Sequence, residues 1–215
     1  MEQEGVIKYC LVFQAETFPI APFLLTQINN CRSKSKQLQL IGQEPHRYDG
    51  YGYGNISIRL CENSSEFLIS GTQTGACEIL SATDIACVTE IDTKQNTLCA
   101  KGETEPSSEA MTHGVLYQLS SNINAVVHVH SPDIWSCSDA IGLANTAQDI
   151  PYGTPEMAAA VTNLAASLLS AHGFPFVFVM KGHEDGVVVA GETMQQCTNL
   201  LLELLERAKA VDTIS

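Results

Sequence analysis

Two histidines separated by one residue, His128 and His130, interrupt an apolar run of strand type, Ala125-Val126-Val127-His128-Val129-His130. Side chains alternate across a strand, so the two imidazoles project from one face while Val127 and Val129 point the other way. Two imidazoles aimed at one point make half a metal site. Alternatively they are ordinary histidines hydrogen-bonded to backbone, and the rest of the chain decides between the two. A third histidine, His183, stands in Lys181-Gly182-His183-Glu184-Asp185-Gly186, between the apolar stretches Phe176–Met180 and Val187–Ala190. A turn there lets its side chain reach a cleft at the strand ends. Three histidines that leave coordination positions open are the donor set of a catalytic zinc or similar divalent ion, with Zn–N contacts of about 2.0–2.1 Å. One such ion per chain, on His128, His130 and His183, is the expectation.

A carboxylate joins them. Pro106-Ser107-Ser108-Glu109 heads an amphipathic helix whose apolar side carries Met111, Val115 and Leu116. By itself Glu109 reads as an ordinary capping acid beside a serine at a helix start. Two further stretches could face an anion. Asp49 to Leu60, with Gly50, Gly52 and Gly54, is a glycine-rich approach leading into an alternating strand, and its glycines allow a close backbone approach or simply a turn. Glu66 to Gly75 is a strand running into a loop of small residues whose hydroxyls and amides suit an anion. Neither stretch has the Gly-Lys-Ser/Thr of a phosphate-binding loop, nor a Gly-x-Gly-x-x-Gly that opens a helix.

The elements that must position these residues follow from periodicity. Lys8 to Phe13 predicts a short strand, and Phe23 to Lys36 a helix whose basic tail, Arg32-Ser33-Lys34-Ser35-Lys36, is read as a solvated helix end. Strands are expected at Ile85–Ile91 and Asn96–Ala100 with a turn between them. Thr154-Pro155-Glu156 starts a helix by its chemistry, with a hydroxyl N-cap, proline at the first position and an acid at the positive dipole end. Met157, Val161, Leu164 and Leu168 follow at helical spacing until Gly173 and Pro175, and Met194 to Ala210 closes the chain as an amphipathic helix.

Composition sets limits. A chain of 215 residues, 45% of them hydrophobic, supports one sizeable core and is read as a single domain over residues 1–215. The net charge of −13 repels nucleic-acid phosphates, so a phosphorylated small molecule would need a local pocket of donors. No run approaches the roughly 18 apolar residues of a membrane span, and the acidic start Met1-Glu2-Gln3-Glu4 is unlike a secretory signal, so a cytoplasmic location is expected. Eight cysteines without a Cys-x-x-Cys pair read as reduced core thiols.

In combination the motifs resemble the class II aldolase/adducin head family, the group that includes fuculose-1-phosphate aldolase. The resemblance rests on Gly54-Asn55-Ile56-Ser57, Ile69-Ser70 with Thr74-Gly75, Ser107-Ser108-Glu109 with His113 four residues on, His128-Val129-His130, Gly153-Thr154 and His183. It runs from about Gly50 to the end of the final helix, and residues 1–45 are uncharacteristic. It implies an α/β fold of three layers, α/β/α, with a mostly antiparallel central sheet and helices on both faces, assembled as a homo-oligomer, a fourfold tetramer favoured. The matching positions make His128, His130 and His183 the zinc ligands and Glu109 the acid/base, while Asn55, Thr74, Gly75, Ser107 and Ser108 hold the substrate phosphate. The implied reaction is retro-aldol cleavage of a small sugar phosphate, in which the metal absorbs the charge of an enediolate.

The departures are specific. The family aldolases carry a tyrosine after the His-x-His strand; the span Pro132 to Ile150 has none here, leaving Tyr152 as a displaced candidate. Glu184-Asp185 follows His183 where the family has glycine directly, an insertion on the metal's open side. The family's sugar-phosphate epimerases usually have aspartate at the Glu109 position, which favours aldolase or dehydratase chemistry and leaves epimerase open. A non-catalytic adducin-head-like interaction module is the alternative from another class; loss of chemistry should show as missing ligands, and all three histidines and Glu109 are present.

Overall fold

The computed structural model describes residues 5–212; the acidic start at residues 1–4 lies outside them. β1 (Cys10–Ala15) leads into α1 (Pro22–Gln37), and the short β2 (Gly42–Gln43) and β3 (Gly52–Tyr53) pair with each other. β4 (Asn55–Arg59), β5 (Phe67–Ser70), β6 (Ile85–Asp92) and β7 (Thr97–Gly102) then follow as successive antiparallel neighbours. Next come α2 (Ala110–Leu119), β8 (Ala125–His130), α3 (Pro132–Ser136), β9 (Ala144–Asn145), α4 (Pro155–His172), β10 (Phe176–Val179), β11 (Gly186–Gly191) and α5 (Met194–Asp212).

Nine strands form one sheet in the order β1-β7-β6-β5-β4-β8-β11-β10-β9. The sheet is mixed: β1 pairs with β7, and β9 with β10, in parallel at its two edges. The reason is connectivity: parallel neighbours need a long crossover, and α4 supplies it between β9 and β10. The pairings between those edges are antiparallel.

Alternation along the central strands divides the core into two layers. Ile56, Val127, Val129, Val187 and Val189 face α1 and α5, whereas Val126, Val188, Ala190 and Phe178 face α2 and α4. This is a three-layer α/β/α arrangement. His128, two residues from Val126, shares the α2/α4 face. α4 begins as its sequence predicts, with Thr154 Oγ1 accepting from the Met157 amide at 3.1 Å and Pro155 in its first turn, and its C-cap is Gly173. The span after β8 contains α3, a helix that periodicity does not announce, capped by Ser131 and tethered by Trp135, whose Nε1 donates to the Met180 carbonyl at 3.1 Å. All eight cysteines are free thiols; Cys31, Cys87, Cys137 and Cys197 are buried as core thiols should be, while Cys10 and Cys61 are exposed. Among the described residues no helix is long and apolar enough to cross a membrane.

Candidate metal centre

β8 carries His128 and His130, and the turn after β10 brings His183 onto them. That turn is closed by the His183 amide on the Met180 carbonyl and the Gly186 amide on the His183 carbonyl, each at 3.0 Å. The three ring centroids lie 4.8 to 5.1 Å apart, and the possible ligand atoms all fall within 4.8 Å of one another. His128 Nε2 and His130 Nε2 are 3.2 Å apart. Burial, and then the neighbouring imidazoles, hold His128 and His130 well below the ordinary histidine range, so both rings are neutral. Neutral imidazole is the form that ligates. Nitrogens at about 2.0–2.1 Å from a tetrahedral ion stand about 3.4 Å from one another, close to the spacing already present between His128 and His130. The donor set therefore fits a divalent ion.

Glu109 occupies the N-cap position of α2 but makes no side-chain cap bond. Its carboxylate is 1% exposed and turns inward: Oε2 accepts from Thr112 Oγ1 at 2.9 Å, and Oε1 lies 3.5 Å from His183 Nδ1. The capping alternative is thus not the arrangement adopted. The Tyr9 hydroxyl donates to the Ser107 carbonyl at 2.9 Å, and burial, then the Glu109 and Glu105 carboxylates, push its pKa up and keep it protonated. One turn along α2, His113 Nδ1 meets Ser57 Oγ at 2.6 Å, and Ser57 Oγ meets the Tyr117 hydroxyl at 2.8 Å. Burial pushes His113 down to about 3, so this network ties α2 to β4 without a charge.

Asn55, Thr74, Gly75, Ser107 and Ser108, which the sequence places far apart, line one small polar recess. The recess adjoins the histidines, since Asn55 is the register partner of His128 and Ser108 precedes Glu109. Asn55 is 5% exposed and its Oδ1 has no hydrogen-bond partner in the structure, an acceptor left to meet a ligand proton. Two glycines make the approach possible. Gly54 has φ +72°, and a Cβ there would stand 3.2 Å from the His128 carbonyl; a Cβ on Gly75 would strike the Gly42 carbonyl.

The basic tail of α1 is solvated only in part: Ser33 and Lys34 are exposed, whereas Arg32 and Lys36 turn to the loop after β5. Arg32 is 1% exposed and donates through Nη2 to the carbonyls of Thr74 at 2.6 Å, Gly75 at 3.2 Å and Cys77 at 2.7 Å. Lys36 reaches the same loop and pairs with Glu78 at 2.8 Å. Three carbonyls turned inward leave the loop's other groups for the recess. Arg32→Met orphans those carbonyls, so it should cost about 2–4 kcal/mol and weaken phosphate binding. Chemical denaturation and phosphate titration of the variant check both effects.

On the other side of the histidines lies an open cleft of about 820 Å³, lined by His183, Tyr152, Trp135, Lys181, Arg47 and Tyr48 among others. Tyr152, the displaced tyrosine candidate, lies in the wall of this cleft. It is 1% exposed and stacks on His183 with centroids 4.4 Å apart and planes at 27°. The Glu184-Asp185 insertion has a visible consequence: Asp185 Oδ2 accepts from the Tyr48 hydroxyl at 2.6 Å, which sets the Tyr48 ring edge-on to His130 at 4.7 Å. Tyr48, Asp49 and Asp185 all have positive φ, at 49°, 55° and 61°, so the contact is made through strained backbone on both sides. Nothing local in the sequence announces Tyr48 and Arg47; the inserted acid was the one available signal.

The model of the family described as Class II Aldolase and Adducin N-terminal domain matches residues 44–211. The chain is 29% identical over 182 residues to 3-oxo-tetronate 4-phosphate decarboxylase of Haemophilus influenzae, covering 76% of this chain and 78% of that protein. It is 32% identical over 181 residues to 3,4-dihydroxyphthalate decarboxylase of Arthrobacter keyseri, covering 75% and 67%. The L-fuculose-1-phosphate aldolase of Thermus thermophilus superposes with a TM-score of 0.60 at 17% identity, over 89% of this chain and 93% of that one. With its fold, its histidine cluster and a match over most of its length, the chain belongs to the class II aldolase/adducin family.

Proposed function

We propose that this chain is a divalent-metal-dependent carbon–carbon lyase that decarboxylates a short phosphorylated oxo-acid. What carries the reading is the meeting of three buried histidines, the inward Glu109 carboxylate and a polar recess beside them. Zinc or a similar divalent ion held by His128, His130 and His183 supplies a Lewis acid for the carbonyl next to the breaking bond. Asn55, Thr74, Gly75, Ser107 and Ser108 hold the substrate phosphate through amides and hydroxyls, close to the start of α2, where the helix dipole favours an anion. The carbon–carboxylate bond breaks, carbon dioxide departs, and the electron pair stays on the carbon beside the carbonyl. Glu109, protonated from solvent before each turnover, gives that carbon its proton; the Thr112 bond fixes the carboxyl for the transfer. Each turnover consumes one proton and releases one carbon dioxide.

Retro-aldol cleavage of a sugar phosphate, an aldehyde-lyase reaction, is the second reading. It leaves the same carbon anion, and it also needs a group to take the proton of the departing hydroxyl. The activities named for the two curated relatives favour carbon dioxide loss. Epimerase and dehydratase chemistry would use the same face, and an interaction module would have no need of the retained histidines. The whole chain is taken as one domain working as a homotetramer.

The test compares zinc-reconstituted protein on a 3-oxo four-carbon acid 4-phosphate and on ketose 1-phosphates. Carbon dioxide should be released from the acid, stop on chelation, and exceed aldehyde release from the ketoses by about 100-fold. The opposite ranking rejects decarboxylation in favour of the aldolase reading, and activity that survives chelation rejects the metal.

A further inference from the structure

Resting on the decarboxylase reading, we propose that Lys181 is the specificity-determining residue that receives the substrate carboxylate, so that the site selects acids with an anion at each end over sugar phosphates whose only anion is the phosphate. Lys181 lies two residues after the end of β10 and two before His183, which fixes it to the ligand-bearing turn. The histidines stand between the recess and the cleft: Asn55 of the recess is the partner of His128, and His183 shares the cleft wall with Lys181.

The chemistry of the lysine is unusual for its setting. Its amide donates to Thr146 Oγ1 at 3.1 Å, its Nζ donates to the Trp135 carbonyl at 2.8 Å, and the ammonium lies 4.7 Å from the Trp135 ring centroid. An ammonium has three N–H donors, and one of them is used this way. Among the described residues no carboxylate lies within ion-pair distance of it. The other fixed cation of the wall is committed elsewhere. Arg47 donates to the Gln39 carbonyl at 2.8 Å and to the hydroxyls of Tyr53 and Tyr48 at 3.1 and 2.9 Å, with its guanidinium over both rings. Of the acids on the wall, Asp185 holds Tyr48, and Asp49 and Glu184 are exposed. A half-buried ammonium oriented by a carbonyl and an indole face, in a chain of net charge −13, presents its remaining donors to an anion entering the cleft.

The carboxylate loses its charge as carbon dioxide forms, so this contact is stronger in the bound substrate than in the transition state. Loss of Lys181 should therefore raise KM without lowering kcat, and change kcat/KM less than KM.

Erythronate 4-phosphate and erythritol 4-phosphate differ only in the carboxylate and give the decisive comparison. Calorimetry on the zinc-loaded full chain should show the acid binding about tenfold or more tightly than the alcohol, the worth of one charge-assisted contact. Lys181→Met should bind both as the unaltered protein binds the alcohol, and Lys181→Arg should restore the preference. A preference that survives Lys181→Met, or acid and alcohol bound equally while metal-dependent carbon dioxide release persists, overturns the role of Lys181 alone. Failure of the unaltered protein to bind either compound or inorganic phosphate overturns it together with the phosphate reading beneath it.

Discussion

His128→Ala should remove the bound divalent ion and the lyase activity together, with turnover falling by about 10³-fold or more, the equivalent of the several kcal/mol a Lewis acid contributes to charge development. The reason lies in the placement of the ring. His128 is fully buried, with its Nε2 3.2 Å from that of His130 and its strand paired to β4 and β11 on either side. Alanine leaves two imidazoles, too few nitrogen donors to hold the ion as three do. The fold should persist, since the valines of β8 remain in both core layers. Burial lowers the pKa of His128 and His130, so their neutral, ligating forms extend to more acid solution than the ordinary value near 6.5 allows; metal retention should follow, failing only below that range. Elemental analysis across a pH series, paired with turnover, checks both. Retained metal with lost activity would reject His128 as a ligand.

Glu109→Gln should separate the two losses. The amide keeps the size of the side chain and can still accept from Thr112, but it cannot move a proton. Turnover should fall by about 10²–10⁴-fold while the ion and the stability of the protein are retained. The contact between Glu109 Oε1 and His183 Nδ1, at 3.5 Å, makes a modest change in metal affinity part of the expected result. Unchanged turnover in this variant would reject Glu109 as the acid, and loss of the metal would reassign it as a ligand.

Much of this centre is legible in the chain because its chemistry is local. A His-x-His in a strand states its own geometry, and Ser-Ser-Glu before an apolar stripe marks a helix start, while the phosphate and acid/base roles of those residues rest on the family resemblance. Thr154-Pro155 marks the start of α4 as clearly as any residue pair can. Other features depend on contacts that no window of sequence contains. Arg32 looks like one more charge in a basic helix tail, and only the loop 42 to 45 residues away turns it into a buried clamp. Tyr48 meets Asp185 across 137 residues. The parallel edges escape periodicity for a similar reason, since alternation reports which face a strand buries and is silent on the direction of its neighbour. Glu109 shows the limit of local reasoning most clearly. Its N-cap position suggests a cap, and the side chain instead turns to a histidine contributed by a turn 74 residues further on.

Anomalous diffraction at the zinc edge, from crystals grown with zinc and inorganic phosphate, tests the centre most directly. One peak per chain should lie among His128, His130 and His183 at about 2.0–2.1 Å from a nitrogen of each, with phosphate in the recess of Asn55, Thr74, Gly75, Ser107 and Ser108. No peak among the three imidazoles, or phosphate bound away from that recess, would contradict the assignment.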